Sequence, residues 1–257
     1  MMLLVDVGNT AVKWGLYEAG EFIAADRIVH RDYNLGEQLT RYWASLQPPD
    51  EVFIANVAGE QLANALSAWT RQQWSLTPRF ASTTDVACGV TNAYPVAADL
   101  GVDRWAALIG AHHHTRNAVC IVDCGTAITV DVLAADGHHQ GGLIIPGIEL
   151  LKQVVREDTA GVRPAADMWA TTLFANSTGA GVHSGAVYLA VAAIDRVISD
   201  VAATQDLDFE VVITGGDAGL MLPLLVCPAS HDSTLVLKGL AILAGAHLCD
   251  TWSICYW

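Results

Sequence analysis

Basic residues are scarce in this chain of 257 residues: 13 Lys and Arg stand against 27 Asp and Glu, a formal net charge of −14. An acidic surface repels phosphate backbones and anionic headgroups, which excludes nucleic acid and membrane as expected partners. Charged residues make up 16% and hydrophobic residues 53%, so material for a core is ample and disorder is not expected. No apolar run reaches the roughly 20 residues that a bilayer requires. The two longest lie near 184–198 and 235–249, and Lys238 interrupts the second. The opening MMLLVDVGN lacks a basic start and meets Asp6 early, which is not a signal-peptide pattern. The six cysteines (88, 120, 124, 227, 249 and 255) form no CxxC pair and no Cys–His metal spacing. Reduced thiols in a cytoplasmic protein are therefore expected. Two nucleotide signatures are also missing: there is no GxxxxGK[ST] loop and no GxGxxG after the first strand.

What is present is a turn that occurs twice. Met2–Val7 is a short apolar run closed by Gly8-Asn9-Thr10, with a returning strand over Ala11–Tyr17. Ala118–Asp123 is a second such run, closed by Cys124-Gly125-Thr126 and followed by Ala127–Leu133. A third strand follows each pair, at Glu21–Val29 and Gln140–Ile145. Further strands are expected at Glu51–Ala55 and Glu210–Thr214. Helices are expected over Glu60–Trp74, Asp103–Thr115, Ser184–Ala203 and Leu235–Leu248, with another face marked by Ile148, Leu151 and Val155. Asp6 and Asp123 lie about half the chain apart, each at the start of a strand–strand–strand–helix series. This predicts a duplicated α/β architecture: an N-terminal domain over 1–116 and a C-terminal domain over 117–257, facing a central nucleotide cleft.

A glycine after a strand lets backbone approach a ligand, and small residues in a turn form an anion nest. Lys13 brings a cation near the first turn and Asp6 a carboxylate. A carboxylate beside a phosphate nest makes sense when Mg²⁺ lies between them. Asp123, Thr126 and Thr129 offer oxygens at the second turn, without a lysine. The strand ending Ile213-Thr214-Gly215-Gly216-Asp217 leaves room for a flat ring against the backbone.

Four ordered motifs resemble those of the type III pantothenate kinases, which share a superfamily with actin, sugar kinases and heat-shock chaperone ATPases. Asp6-Val7-Gly8-Asn9-Thr10-Ala11-Val12-Lys13 resembles the first phosphate motif and Gly101-Val102-Asp103-Arg104 the GxDR motif. Asp123-Cys124-Gly125-Thr126-Ala127 resembles the second phosphate motif, and Gly141-Gly142-Leu143-Ile144-Ile145-Pro146-Gly147 the GGxIxPG segment. The resemblance implies duplicated ribonuclease H-like (actin-like ATPase) domains, ATP with Mg²⁺, and phosphorylation of pantothenate at the first step of coenzyme A synthesis. It implies Asp103 as general base, and Tyr94, Gly101, Val102, Asp103, Arg104 and Thr178 as substrate contacts. Residues 6–13 and Thr126 become ATP contacts, Asp123 the ligand of potassium or ammonium, and the chain a homodimer with Thr178 and the 184–203 helix near its interface. Chemistry agrees, because phosphoryl transfer asks mainly for positioning and charge neutralisation.

Other readings stand beside these. Asp103 could be a helix N-cap, Lys13 could be turned outward by strand alternation, and Arg104 suits a carboxylate or a phosphate equally. His112-His113-His114 and His138-His139 are poor metal candidates, since adjacent helical residues diverge. Trp69 and Trp74 are expected in packing roles. A non-catalytic transcriptional accessory factor, or a kinase for another small hydroxylated compound, are the alternatives in function.

Overall fold

The computed structural model describes residues 1–30, 34–158, 170–205 and 209–246. Cys249, Cys255 and the aromatic ending 251–257 lie outside these residues, as does Leu248 of the expected closing helix.

The first sheet is built from β1 (Met2–Val7), β2 (Ala11–Glu18), β3 (Glu21–Val29), β4 (Glu51–Asn56) and β5 (Arg79–Phe80), in the order β3-β2-β1-β4-β5. β1 runs antiparallel to β2, with Asp6 opposite Lys13, and parallel to β4, with Asp6 opposite Ala55. Leu3, Val5, Val7 and Val12 are fully buried against α1 (Leu35–Trp43) and α2 (Glu60–Trp74). A cage of indoles fills the outer part of this core: Trp43 stacks on Trp74 at 5.9 Å and meets Trp69 edge-on at 5.6 Å. The tryptophans pack as expected, and the Trp69 indole N–H donates to Thr40 Oγ1 at 2.9 Å.

A two-stranded hairpin, β6 (Val86–Ala87) with β7 (Val90–Thr91), precedes α3 (Val102–His114). α3 packs against α7 (Leu235–Leu243) at backbone distance, because Gly110 and Gly239 present no side chains there. A Cβ on Gly110 would lie 2.7 Å from the Leu235 carbonyl oxygen, and one on Gly239 would collide with that of Ala106.

The second sheet repeats the first. It contains β8 (Ala118–Cys124), β9 (Ala127–Leu133), β10 (His139–Pro146), β11 (Phe209–Thr214) and β12 (Ser230–His231), ordered β10-β9-β8-β11-β12. β11 is parallel to β8, pairing Thr214 with Asp123. Its core joins Val122, Ile128 and Ile213 to Val187, Ala190 and Ile194 of α5 (Thr178–Gln205) and to Ile148 at the start of α4 (Ile148–Asp158). A short helix, α6 (Ala218–Met221), follows β11.

Duplication is thus visible in strand order. One compact unit gathers Met1–Arg116, Leu133–Gly141 and the segment from Thr234; the other gathers Asn117–Val132 and Gly142–Ser233. The β9–β10 connection and the closing helix therefore group with the first unit rather than with the second half of the chain. Its Gly137 carbonyl accepts from the Thr91 amide at 2.9 Å.

The short strands β5, β6, β7 and β12 and the short helix α6 have no counterpart in the sequence reading, and three longer helices differ from it. α1 was not anticipated. α5 starts at Thr178 rather than Ser184, where Ser177 Oγ accepts the Ala180 amide at 3.3 Å. α7 stops at Leu243 rather than running on, since Gly245 takes φ 86°.

Candidate active site

The first turn, between β1 and β2, is closed by Gly8, whose amide donates to the Ala11 carbonyl at 3.0 Å. That N–H is therefore used within the turn rather than offered to an anion. Val7 and Val12 point their side chains into the core, so only their backbone borders the turn. Asp6 is 6% exposed and lies across the ladder from Lys13, with Nζ 3.9 Å from Oδ2. Strand alternation thus brings Lys13 to the Asp6 side. The arrangement suits a cation on the carboxylate and an anion near the ammonium, which fits a metal-bridged phosphate.

Beside this turn lies the start of α3. The Val57 amide donates to the Val7 carbonyl at 3.0 Å, and Val57 Cγ1 is 3.8 Å from where a Cβ on Gly101 would be. Gly101 is the N-cap, so Asp103 sits inside the first turn rather than at the cap. Its Oδ1 accepts the Arg104 amide at 2.8 Å and would be 2.6 Å from a Cβ on Gly101. Glycine is what gives this carboxylate room. Arg104 is 7% exposed; its Nη1 donates to the Tyr94 hydroxyl at 3.1 Å, and the guanidinium lies 5.7 Å from the Tyr94 ring centre. His139 joins this group, its ring 6.0 Å from that of Tyr94 at an interplanar angle of 12°. Tyr94, Gly101, Asp103 and Arg104 are accordingly neighbours, and Val102 continues the same turn.

The second unit holds the other candidates. Its turn is closed by Gly125, which donates to the Ala127 carbonyl at 3.2 Å. Asp123 is set between two glycines: Oδ1 would be 3.4 Å from a Cβ on Gly125 and 2.5 Å from one on Gly215. Thr214, its partner across the parallel ladder, is 0% exposed, and its hydroxyl has no hydrogen-bond partner among the described residues. A carboxylate and a hydroxyl are oxygen donors of the kind that hard cations take. Thr126 lies in the turn itself, and Thr178 is exposed at the start of α5. Among the described residues no group of three or more His, Cys, Asp or Glu could hold a metal ion. No described helix is long and apolar enough to cross a membrane.

Sequence reasoning missed two residues. His139 backs Tyr94. His30, directly after β3, has its Nε2–H donating to the Gly8 carbonyl at 2.9 Å and its amide donating to Thr10 at 3.1 Å. A comparison of the two halves strand by strand is the signal that finds His30, since Gly147 holds its place after β10.

Solved structures define the class. A ROK family glucokinase from Streptomyces griseus, solved with glucose and AMPPNP, superposes with TM-score 0.51 at 11% identity over 94% of this chain and 98% of that one. A conserved Campylobacter jejuni protein assigned to the Baf family of transcriptional activators gives 0.55 at 19%, over 95% and 98%. The chain shares the fold of these two solved structures. Within that class, residues 2–200 match the model of the type III pantothenate kinase family. The chain is 40% identical to a type III pantothenate kinase of Nitrosococcus oceani over 95% of its own length and 94% of the relative's. One from Nitrosospira multiformis is 35% identical, over 95% and 91%. The chain belongs to the type III pantothenate kinase family.

Proposed function

We propose that the protein phosphorylates the primary hydroxyl of pantothenate with ATP, giving 4′-phosphopantothenate for coenzyme A synthesis. The observation that carries this is the placement of Asp103 at the head of α3 beside the Asp6–Lys13 turn, in a chain of this family. Asp103 accepts the hydroxyl proton, the hydroxyl oxygen attacks the terminal phosphorus, and the bond to the ADP oxygen breaks. Asp6 would hold Mg²⁺, which would supply charge neutralisation at the transferring group. Lys13, Asn9, Thr10 and the backbone from Val7 to Val12 border the phosphates in this reading, and Thr126 with Asp123 serves the second turn, Asp123 binding potassium or ammonium. Arg104, fixed by Tyr94, holds the pantothenate carboxylate. Its burial and its hydroxyl partner favour one oriented carboxylate over a mobile phosphate. Thr178 completes substrate binding in a homodimer, and the site of action is the cytoplasm.

The test is ADP release followed with and without pantothenate, in potassium and in sodium buffer. Pantothenate-dependent release stimulated by potassium is expected. For Asp103→Asn, turnover falls by about 10² or more with ATP affinity retained. Near-normal turnover would remove Asp103 from the role of base.

A further inference from the structure

The two turns are closed at corresponding places by different means. After β10, the Gly147 amide donates to the Thr126 carbonyl at 3.1 Å, and a Cβ on Gly147 would lie 2.5 Å from that same oxygen. After β3, the amide of His30 donates to the Thr10 carbonyl, also at 3.1 Å. The hydrogen bond recurs in both copies: it runs from the residue after the third strand to the carbonyl of the threonine just before the second strand. The side chain is not. The second turn has backbone packed where a side chain would go, whereas the first admits an imidazole that is 9% exposed and whose Nε2–H reaches the Gly8 carbonyl at 2.9 Å.

We infer that His30 is a positioning residue for the phosphate turn, setting the conformation of Gly8–Thr10 from two sides. The Gly8 carbonyl accepts from the ring and the Thr10 carbonyl from the His30 amide, so the Gly8–Asn9 and Thr10–Ala11 peptide planes, at the two ends of the Asn9-Thr10 pair, are both held. A carbonyl only accepts, so the ring is the tautomer or cation with a proton on Nε2. Fixing those planes sets where the turn's N–H groups and the Thr10 hydroxyl point. It also keeps two carbonyl oxygens turned away from an incoming polyanion, which they would otherwise repel. The inference rests on the reading of residues 6–13 as the phosphate site and adds a residue outside that motif.

The experiment compares His30→Phe, which fills the volume without a donor, with His30→Gln, whose Nε2 restores one at a similar reach. Lys13→Met and Thr10→Val report on the turn itself. Binding of the non-hydrolysable analogue AMPPNP is measured by calorimetry on the full chain, alongside the KM for ATP and for pantothenate and the thermal midpoint. His30→Phe is expected to weaken AMPPNP and raise the ATP KM roughly ten-fold, with the pantothenate KM within about two-fold, and Gln to recover most of the loss. If Lys13→Met and Thr10→Val weaken the nucleotide but His30→Phe does not, the role of His30 is overturned while the phosphate site stands. Equal losses for both substrates with a lowered thermal midpoint, unrescued by Gln, would show a merely structural histidine and overturn it too. Should none of the four variants affect AMPPNP, residues 6–13 are not the phosphate site and both readings fall.

Discussion

The Asp6 turn and the Asp123 turn share a strand order, a glycine-closed bend and a link to the neighbouring parallel strand. The residue after β4, Val57, donates to Val7 at 3.0 Å; past β11, Asp217 donates to Cys124 at 2.9 Å. Their carboxylates nevertheless meet different surroundings. Asp6 is buried against a lysine from the facing strand, while Asp123 is wedged between glycines beside a buried threonine hydroxyl. One backbone plan thus supplies a charged pair in the first copy and a carboxylate between glycines in the second. Specialisation of a duplicated turn needs few substitutions, since the peptide framework already provides the close approach and side chains decide which ion is welcome.

Replacing each carboxylate by its amide separates the two most sharply. Asp6→Asn is expected to lower kcat by about 10²–10³ and to demand more Mg²⁺, because it removes a fixed charge at the transferring group. A magnesium titration of initial rates checks this. Gly147→Ala tests whether the second turn depends on backbone proximity: the added methyl meets the backbone carbonyls of Gly125 and Thr126, and a loss of about 1–3 kcal/mol in denaturant unfolding is expected. Asp123→Asn should cost roughly ten-fold in rate, visible as a flat response to potassium where the parent is stimulated. Lys13→Met is the mildest, a roughly three- to ten-fold rise in ATP KM, since a partly exposed pair at 3.9 Å is weak. An Asp6→Asn enzyme that lost potassium stimulation and kept its magnesium response would invert the assignment of the two turns.

Much of this was legible in the residues. Strands β1, β2, β8 and β9 follow from short apolar runs broken by Gly, and their repetition foretold the shared strand order. Local signals were underused elsewhere. The Asn34 side chain caps α1 by accepting the Gly36 amide at 3.0 Å, and Leu35, Leu39 and Trp43 form its buried stripe. Gly179, Gly181 and Gly185 argue against helix by propensity, yet burial of Ala180, Ser184 and Val187 carries α5 through them. Nothing local could show that the carbonyls of Gly8 and Thr10 meet His30, nor that Arg104 bonds Tyr94. Those depend on strand register and on the path of the chain before α3.

The glycine seam between α3 and α7 has a consequence for the birth of the molecule. The helix that presents Asp103 leans on a partner made more than half a chain later, with bare peptide against bare peptide at Gly110 and Gly239. During synthesis the first sheet can assemble early, but the helix that carries Asp103 gains this packing only once the segment from Thr234 has been made. A translation product truncated before Thr234 would carry all four motifs and still lack the helix against which α3 packs.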